Sequence, residues 1–349
     1  MRKIFWLFFI AVIAAGGWFA WTLLSPLEPP AQTFVILHPG YSTRHIAAAL
    51  KSAGVIRNAD VFVFWQYLRP ERSLKAGEYL FEKPANILDV KHRLQSGDVY
   101  FHTVIIPEGF TMFDIARAIE AAGLGSAQDF LKVAQSDVAQ IADLAPGATS
   151  LEGYLFPDTY QFSRMLSMHE MAAAMVKQFR QVAHQIGLIQ VQTPTDGTAG
   201  DTSNSSPHIV VETDVERTVI MASIVEKETA SPDERPRVAS VYYNRLSQKM
   251  ALDADPSIIY AELLAGTYQG ALHHADLSVS SPYNTYRFPG LPPGPIGNPG
   301  KSSLEAALHP GTTSFLYFVA DGSGHHRFAQ NLEEHNRNVA AYRRSLGMR

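Results

Sequence analysis

An apolar run at residues 4–24 constrains this chain more than any other stretch of its sequence. Thr22 is the only strongly polar residue in the run, and Arg2 and Lys3 precede it. A helix needs about 20 predominantly apolar residues to cross a bilayer, and this run supplies them. Tryptophans near both ends are typical of side chains at a membrane–water interface, namely Trp6, Trp18 and Trp21. The run therefore predicts a single transmembrane helix.

The two cations before the run predict its orientation. Because basic residues favour the cytoplasmic side, the N-terminus is expected in the cytoplasm and the chain after Ser25 outside it. A cleaved signal peptide is the alternative, with the small residues at 14–17 as a cleavage site. The apolar run continues through Leu24, beyond what a signal peptide needs, which favours an uncleaved anchor. Three prolines between residues 25 and 32 then predict a stiff spacer.

Composition limits what the rest of the chain can be. With 349 residues, of which 46% are hydrophobic, it is long enough for a large core and more than one domain. The 29 Lys and Arg residues against 33 Asp and Glu residues leave no basic surface that would indicate a nucleic-acid partner. No cysteine is present, which excludes disulfides, thiolate nucleophiles and cysteine metal sites. These features fit an extracytoplasmic protein.

A strand followed by a capped amphipathic helix and a glycine occurs twice. The first copy covers residues 34–54 and the second covers residues 104–123. Glycines and apolar residues fall at equivalent positions, which indicates two copies of one small module. The matched pairs are Gly40 with Gly109, Ile46 with Ile115, Leu50 with Ile119, and Gly54 with Gly123.

After the second copy the pattern is mostly helical. Helices are predicted at residues 168–186, 213–230, 238–246, 255–266 and 304–308, and at the end of the chain at 331–346. A strand at 315–320, a turn and a partner strand at 327–329 predict a short hairpin. Residues 193–207 contain no large apolar side chain and are interpreted as a polar loop insertion. The long Pro- and Gly-containing loop at 280–300 is interpreted either as a sugar-binding loop or as a structural lid.

Glu226 is the one carboxylate on an otherwise apolar face of the helix that starts near Thr213. Thr213 and Glu216 are spaced as a capping box, and Val215, Val219 and Ala222 share the face of Glu226. Burial and the negative end of the helix dipole both raise the pKa of such a carboxyl group, as a general acid near neutral pH requires. The alternatives are that Glu226 bends into solvent or pairs with a nearby arginine, namely Arg235, Arg237 or Arg245.

Several motifs together resemble one known family. They include Ala-Ser-Ile-Val-Glu-Lys-Glu-Thr-Ala at 222–230 and Val-Ala-Ser-Val-Tyr-Tyr-Asn-Arg-Leu at 238–246. Others are Glu-Gly-Tyr-Leu-Phe-Pro-Asp-Thr-Tyr at 152–160, Tyr-Asn-Thr-Tyr at 283–286 and Gly-Leu-Pro-Pro-Gly-Pro-Ile at 290–296. In type and order these resemble the membrane-anchored endolytic murein transglycosylases, the YceG-like family. The resemblance covers almost the whole chain, apart from the polar insertion at 193–207.

The resemblance implies a division of the chain and an α+β fold. Residues 1–25 would be a cytoplasmic tip and a single transmembrane anchor. Residues 26–101 would form a first LysM-like module and residues 102–150 a second strand–helix module. Residues 151–349 would form a mostly helical catalytic domain with long loops and a short β hairpin. The implied location is the cell (inner) membrane, with this domain in the periplasm or otherwise outside the cytoplasm.

The resemblance also implies a reaction that needs one carboxyl group and no cofactor. Glu226, the first glutamate of the Glu-Lys-Glu motif, would be catalytic, and the substrate's own hydroxyl would replace water. Peptidoglycan strands would be the substrate, with peptidoglycan synthases as neighbours. Polar and aromatic residues of the motifs are candidates for glycan binding: Glu152, Tyr160, Asn244, Arg245, Tyr283, Asn284, Thr285 and Tyr286. Glu228 lies two residues from Glu226 and so points from a different face of the helix.

Three other classes of protein are alternatives to this hypothesis. The pairs His273–His274 and His325–His326 invite a metal hydrolase, but adjacent histidines diverge and no His-Glu-x-x-His motif is present, so no metal site is predicted. A serine hydrolase lacks its Gly-x-Ser-x-Gly motif. A noncatalytic peptidoglycan-binding or division scaffold protein is the main alternative, although it would leave the carboxylate on an apolar helix face unexplained.

Overall fold

The computed structural model describes residues 2–70, 73–191, 209–210 and 214–347. It divides into two compact units, which are Met1–Thr103 with Gln161–Ser167, and Val104–Tyr160 with Met168–Arg349. Helices alternate with small two-stranded sheets, so the predicted α+β class is confirmed. The predicted insertion at 193–207 lies outside the described residues.

The first helix, α1 (Arg2–Leu24), contains the predicted membrane run. In the described part of the chain it alone is long and apolar enough to cross a bilayer. Most of its side chains are exposed, as lipid-facing residues would be, whereas Thr22 and Leu23 in its last turn are buried. This helix, near the N-terminus, is therefore a candidate membrane anchor.

The first unit contains the first copy of the repeat. Its elements are β1 (Thr33–Leu37), α2 (Thr43–Ser52), α3 (Ala59–Leu68), β2 (Gly77–Phe81) and α4 (Ile87–Ser96). β1 pairs antiparallel with β2, with Thr33 opposite Phe81 and Leu37 opposite Gly77. Sequence reasoning missed α3 because its apolar residues occur on every side and give no helical period.

The second copy has the same order of strand, two helices and strand. Its elements are β3 (His102–Ile105), α5 (Met112–Ala121), α6 (Ala127–Ser136) and β4 (Thr159–Phe162), and β3 pairs with β4. The residues matched in the sequence behave alike. Ile46, Leu50, Ile115 and Ile119 are all buried. Gly54 and Gly123, which end α2 and α5, have positive φ angles of 71° and 68°, a conformation that favours glycine.

The remaining elements are mostly helices, as predicted. In chain order they are α7 (Met168–Gln185), β5 (Gln190–Val191), β6 (Ile209–Val210), α8 (Val215–Glu228), α9 (Arg235–Ser247), α10 (Asp255–Ala265), α11 (Lys301–Leu308), β7 (Tyr317–Ala320), β8 (His326–Ala329) and α12 (Leu332–Ser345). The predicted hairpin is confirmed, since β7 pairs antiparallel with β8. β5 and β6 pair at the two edges of the stretch that the structure leaves undescribed.

Helix starts were predicted less well than helix bodies. Thr213 lies outside the described residues, and the side chain that caps α8 is Asp214, which accepts the N–H of Arg217. Ser231 and Glu234 also have the spacing of a capping box, but Ser231 precedes a short 3-10 turn and makes no side-chain cap. The spacing of Glu216, Ser223 and Lys227 predicts a polar strip on α8, but Ser223 is fully buried, and its hydroxyl donates to the carbonyl of Ile220.

Equivalent core positions of the two copies should be equally sensitive to truncation. Because Leu50 and Ile119 are fully buried, we expect Leu50→Ala and Ile119→Ala each to lower the free energy of unfolding by about 2–5 kcal/mol. Urea denaturation of the detergent-solubilised protein measures this. Lys51→Ala, at an exposed neighbour, should stay within about 0.5 kcal/mol. A difference of less than 1 kcal/mol between Leu50→Ala and Lys51→Ala would contradict the prediction.

Candidate active site

Helix α8 holds Glu226 in an almost closed environment. Nine residues of this helix are buried, and the side chain of Glu226 is only 5% exposed. One carboxylate oxygen lies 2.8 Å from Nη2 of Arg235. The other accepts the backbone N–H of Gly300 at 2.9 Å. Both oxygens of Glu226 therefore have a hydrogen-bond donor.

Arg235 lies between two carboxylates of different exposure. Its side chain is 5% exposed, and Nη2 is 3.3 Å from Glu108 as well as 2.8 Å from Glu226. Glu108 is 49% exposed, so its ion pair with Arg235 is open to solvent on the side of Glu108. Nε of Arg235 is buried without a hydrogen-bond partner. The arginine therefore links a buried carboxylate to a solvent-facing one.

These contacts act on the pKa of Glu226 in opposite directions. Burial is the largest effect and raises the pKa above its usual value, while the Gly300 N–H and the charge of Arg235 lower it. The nearby carboxylate of Glu108 raises it a little. The structure therefore combines two possibilities that the sequence offered as alternatives. Burial raises the pKa of Glu226, and Glu226 also pairs with Arg235. Such a carboxyl group is able to hold and to release a proton.

Two glycines let the backbone approach Glu226 closely. A Cβ at Gly300 would lie 1.9 Å from Oε1 of Glu108, so any other residue there would displace the Glu108 side chain. A Cβ at Gly109 would touch Cγ of Glu226 at 3.4 Å, and its φ angle of 77° is left-handed. Position 109 therefore favours glycine because of its backbone conformation, and glycine at position 300 leaves room for the Glu108 side chain.

Asn298 fixes the loop that carries the Gly300 N–H. Its side-chain amide donates to the carbonyl of Phe110 at 2.9 Å and to the carboxylate of Glu152 at 2.7 Å. Its side-chain oxygen accepts the N–H groups of Gly153 and Leu155 at 2.8 and 2.9 Å. The residue is fully buried, so each of these bonds would be costly to lose. Sequence reasoning missed it because Gly-Asn-Pro-Gly has the composition of any turn.

Glu152 is a second buried carboxylate behind this loop. It is 1% exposed and accepts the N–H of Met112, the first residue of α5, at 3.1 and 3.0 Å. Burial raises its pKa to about 7, against the lowering effect of that N–H. Glu152 joins the start of α5 to Asn298, and through Asn298 to the loop beside Glu226.

Glu228 points into a separate pocket of about 390 Å³ on another face of α8. Burial raises the pKa of Glu228 to about 7, and hydrogen bonding to Tyr242 opposes this. Tyr286 on the pocket wall donates to Asp255 at 2.6 Å. The lining is both aromatic and charged, which suits a sugar ring and its hydroxyls: Glu228, Tyr242, Arg245, Leu252, Asp253, Asp255, Tyr286, Tyr317, Phe318, Leu332 and His335.

Comparison with known proteins decides the family. The model of the YceG-like family matches residues 35–341, which is most of the chain. The chain belongs to this family. A protein of Bacillus subtilis named endolytic murein transglycosylase is 32% identical over 346 residues, covering 94% of this chain and 90% of that protein.

Two further relatives support membership of the same family. An endolytic murein transglycosylase of Streptococcus pneumoniae (strain D39) is 29% identical over 374 residues and covers 96% of this chain, which spans 64% of that protein. The crystal structure of a yceG-like protein from Listeria monocytogenes superposes with a TM-score of 0.54 at 31% identity. It covers 87% of this chain and 97% of the Listeria chain. The family resemblance seen in the motifs is confirmed.

The structure places the candidate glycan-binding residues in different surroundings. Arg245 and Tyr286 line the pocket with Glu228. The carboxylate of Glu226 takes its contacts from Arg235 and Gly300, neither of which was among the candidates. Three other candidates bond within the fold: Glu152 accepts from Asn298, Tyr160 donates to the carbonyl of Phe156, and Asn244 donates to the carbonyls of Thr313 and Phe315. The ring of Tyr283 packs on that of Tyr260. Asn284 and Thr285 are buried and bond to neighbouring loops.

The histidines that suggested a metal site have other contacts. His326 lies 2.8 Å from Glu234, and His325 lies 3.7 Å from the same residue. His273 is at the start of a short 3-10 turn, where its N–H donates to Asp276. Within the described ranges no three His, Cys, Asp or Glu residues form a group that could hold a metal ion.

The two neighbours of Glu226 should shift its pKa in opposite directions. Arg235→Met removes the cation that favours the ionised form, so we expect the pKa of Glu226 to rise. Glu108→Gln removes a like charge and should lower it slightly. NMR titration of the protein labelled at glutamate carboxyl carbons measures both, with Glu226→Gln assigning the signal. If both variants shifted the pKa in the same direction, this description of the site would be wrong.

Proposed function

We propose that this chain is an endolytic lytic transglycosylase of peptidoglycan. It would cleave the bond between N-acetylmuramic acid and N-acetylglucosamine within nascent strands, leave 1,6-anhydro ends and so terminate strand elongation. Support comes from relatives named endolytic murein transglycosylase that align over nearly the whole chain. The observation that carries the proposal is a nearly buried carboxyl group on α8 whose pKa is raised by burial.

Glu226 would act in both halves of the reaction. As an acid it gives its proton to the glycosidic oxygen, and the bond from that oxygen to C1 of the muramic acid breaks. The C6 hydroxyl of the same sugar then bonds to C1, and its proton passes to the Glu226 carboxylate. No water is consumed, and Glu226 ends protonated as it began. Because the attacking hydroxyl belongs to the substrate, its effective concentration is high and a second catalytic carboxylate is unnecessary.

The contacts of Glu226 suit this double role. A group that first donates and then accepts a proton works best when its pKa lies near the working pH. Burial favours the acid form, whereas Arg235 and the Gly300 N–H favour the carboxylate that exists between the two steps. Arg235 is thus a positioning and charge-balancing residue, and Glu226 is the catalytic residue of the proposal.

The pocket around Glu228 would bind the glycan away from the bond that is cleaved. Tyr286, which is 36% exposed on the pocket wall, would offer its ring to a sugar, and Asp253 and Asp255 would accept from sugar hydroxyls. It lies on another face of the helix that carries Glu226, so a strand of several sugars would be needed to reach both. This arrangement is consistent with cleavage within a strand.

The N-terminal part would hold the enzyme close to new peptidoglycan. The proposal includes α1 as a single-pass anchor with its N-terminus in the cytoplasm and the catalytic part outside, and peptidoglycan synthases as neighbours. It also includes LysM-like binding by the repeated modules, supported by their shared order of strand, two helices and strand. The four-part division at residues 25, 101 and 150 remains a prediction.

Replacement of Glu226 tests the proposal. Because general acid–base catalysis contributes about 10²–10⁴-fold, we expect Glu226→Gln to lower the rate of strand cleavage by at least about 100-fold. Mass spectrometry of digests of purified, unlinked glycan strands measures anhydromuramyl ends. Glu216→Gln, on the same helix but outside both the Glu226 site and the pocket, is the matched control and should cleave at the unmodified rate. Glu228→Gln, in the pocket, should keep the anhydromuramyl product.

Each alternative has its own result in this experiment. Reducing ends in place of anhydro ends would indicate a hydrolase. No new ends with the unmodified protein, together with retained glycan binding, would indicate the scaffold alternative. If Glu228→Gln abolished cleavage while Glu226→Gln did not, the catalytic assignment would move to Glu228.

The pocket assignment predicts a separate effect on binding. Because Tyr286 lies on the pocket wall and offers a ring face, we expect Tyr286→Ala to raise KM for glycan strands about tenfold with little change in kcat. Tyr268→Ala, outside the pocket, is the control and should leave both constants unchanged. Equal KM values for the two variants would argue against glycan binding in this pocket.

A further inference from the structure

Helix α3 has an apolar face that the first unit leaves uncovered. Phe64, Tyr67 and Leu68 are 53%, 72% and 56% exposed. Their spacing of three and four positions puts them on one side of the helix. The opposite side supplies Val61 and Phe62 to the core of the unit. Three large side chains on one exposed helix face are more than scattered surface residues and indicate a contact surface.

The C-terminal end of α1 lies directly beside this face. The rings of Phe19 and Phe64 meet edge to face, with their centroids 5.5 Å apart. Leu23 of α1 is 5% exposed and belongs to the same hydrophobic core as Phe62. Both helices belong to the first unit, so these contacts fix the depth of α3 relative to the end of α1.

That depth corresponds to the boundary of a bilayer. Phe19 lies five positions before Leu24, the last residue of α1, which is about 7.5 Å along a helix. Helices that lie in a membrane interface bury their apolar face about 5–10 Å. Trp18 and Trp21, in the same turns as Phe19, are more than half exposed, as residues of an interfacial belt would be.

Charge on the same side fits lipid headgroups. The guanidinium of exposed Arg57 lies 5.1 Å above the ring of Trp21. A cation at the level of an interfacial tryptophan is well placed for headgroup phosphate. Asp60, one turn before Phe64 on the same face, is exposed and polar, so apolar contact with lipid begins at Phe64.

We propose that α3 lies in the membrane interface where α1 leaves the bilayer, with Phe64, Tyr67 and Leu68 among phospholipid acyl chains. The occupant of the face is lipid because α1, which touches α3, brings lipid to it. This inference rests on the anchor in the proposed function and is independent of the role of Glu226. The first unit would then contact the membrane through two helices and could not swing freely about the anchor.

Site-directed spin labelling tests this directly, because the chain has no cysteine of its own. Single nitroxide labels are placed with Phe64→Cys, Tyr67→Cys, Val12→Cys in α1 and Lys51→Cys on α2. The 349-residue chain is reconstituted in phosphatidylcholine–phosphatidylglycerol vesicles, and power saturation compares collisions with oxygen and with an aqueous nickel chelate. We expect oxygen to dominate at 12, 64 and 67, and the nickel chelate to dominate at 51.

The labels separate failure of the inference from failure of the anchor. If 64 and 67 were as accessible to the nickel chelate as 51 while 12 stayed in lipid, the inference would be overturned and the anchor kept. Nickel access at 12 as well would overturn both. Dipolar broadening between labels at 64 of two molecules would show that a second copy covers the face, which also overturns the inference. Circular dichroism of each labelled chain confirms its folded state.

Discussion

A nearly buried carboxylate that accepts one guanidinium and one backbone N–H is the interaction on which the candidate site depends. Leaving Glu226 ionised in an apolar helix without these donors would be strongly unfavourable. With them, its ionised and protonated forms come closer in free energy. The donors come from α9 and from the loop before α11, so the carboxylate also joins three parts of the second unit.

The loop before α11 is held more firmly than its composition suggests. Asn298 uses both ends of its side-chain amide, and Glu152 connects it to the first turn of α5. The Gly300 N–H is therefore aimed at Glu226 by buried groups that do not touch it. A change at Asn298 or Glu152 would reach the carboxylate through the backbone. Asn298 and Glu152 therefore help to position the N–H of Gly300, which lowers the pKa of Glu226.

Much of the fold was predictable from local patterns. The membrane run, the two repeats and the final hairpin could be predicted because short segments of the sequence contain their signals. These signals are the spacing of apolar residues and the glycines that end helices. Helix α3 was missed because it is apolar on every side, and the polar assignment of Ser223 failed because its buried hydroxyl bonds to its own helix. Glu226 was singled out by its place on an apolar face. Arg235 was only one of three possible partners, since the choice among them depends on how α8 and α9 cross.

Asn298 and the pocket of Glu228 had no local signal. The hydrogen bonds of Asn298 and the lining of the pocket both involve residues far apart in the chain, which only the fold brings together. Asn298 bonds to groups more than 140 positions away. The pocket combines α8, α9, α12 and the loops near 253 and 286.

The short ladder of β5 and β6 has a consequence for how such proteins vary. Gln190 pairs with Val210 and Val191 with Ile209, so the chain leaves α7 and returns toward α8 through neighbouring points. When two ends are already held together, each doubling of the chain between them costs only about 0.6 kcal/mol in closure entropy. Insertions and deletions between β5 and β6 can therefore be tolerated with little effect on α8, the helix that follows.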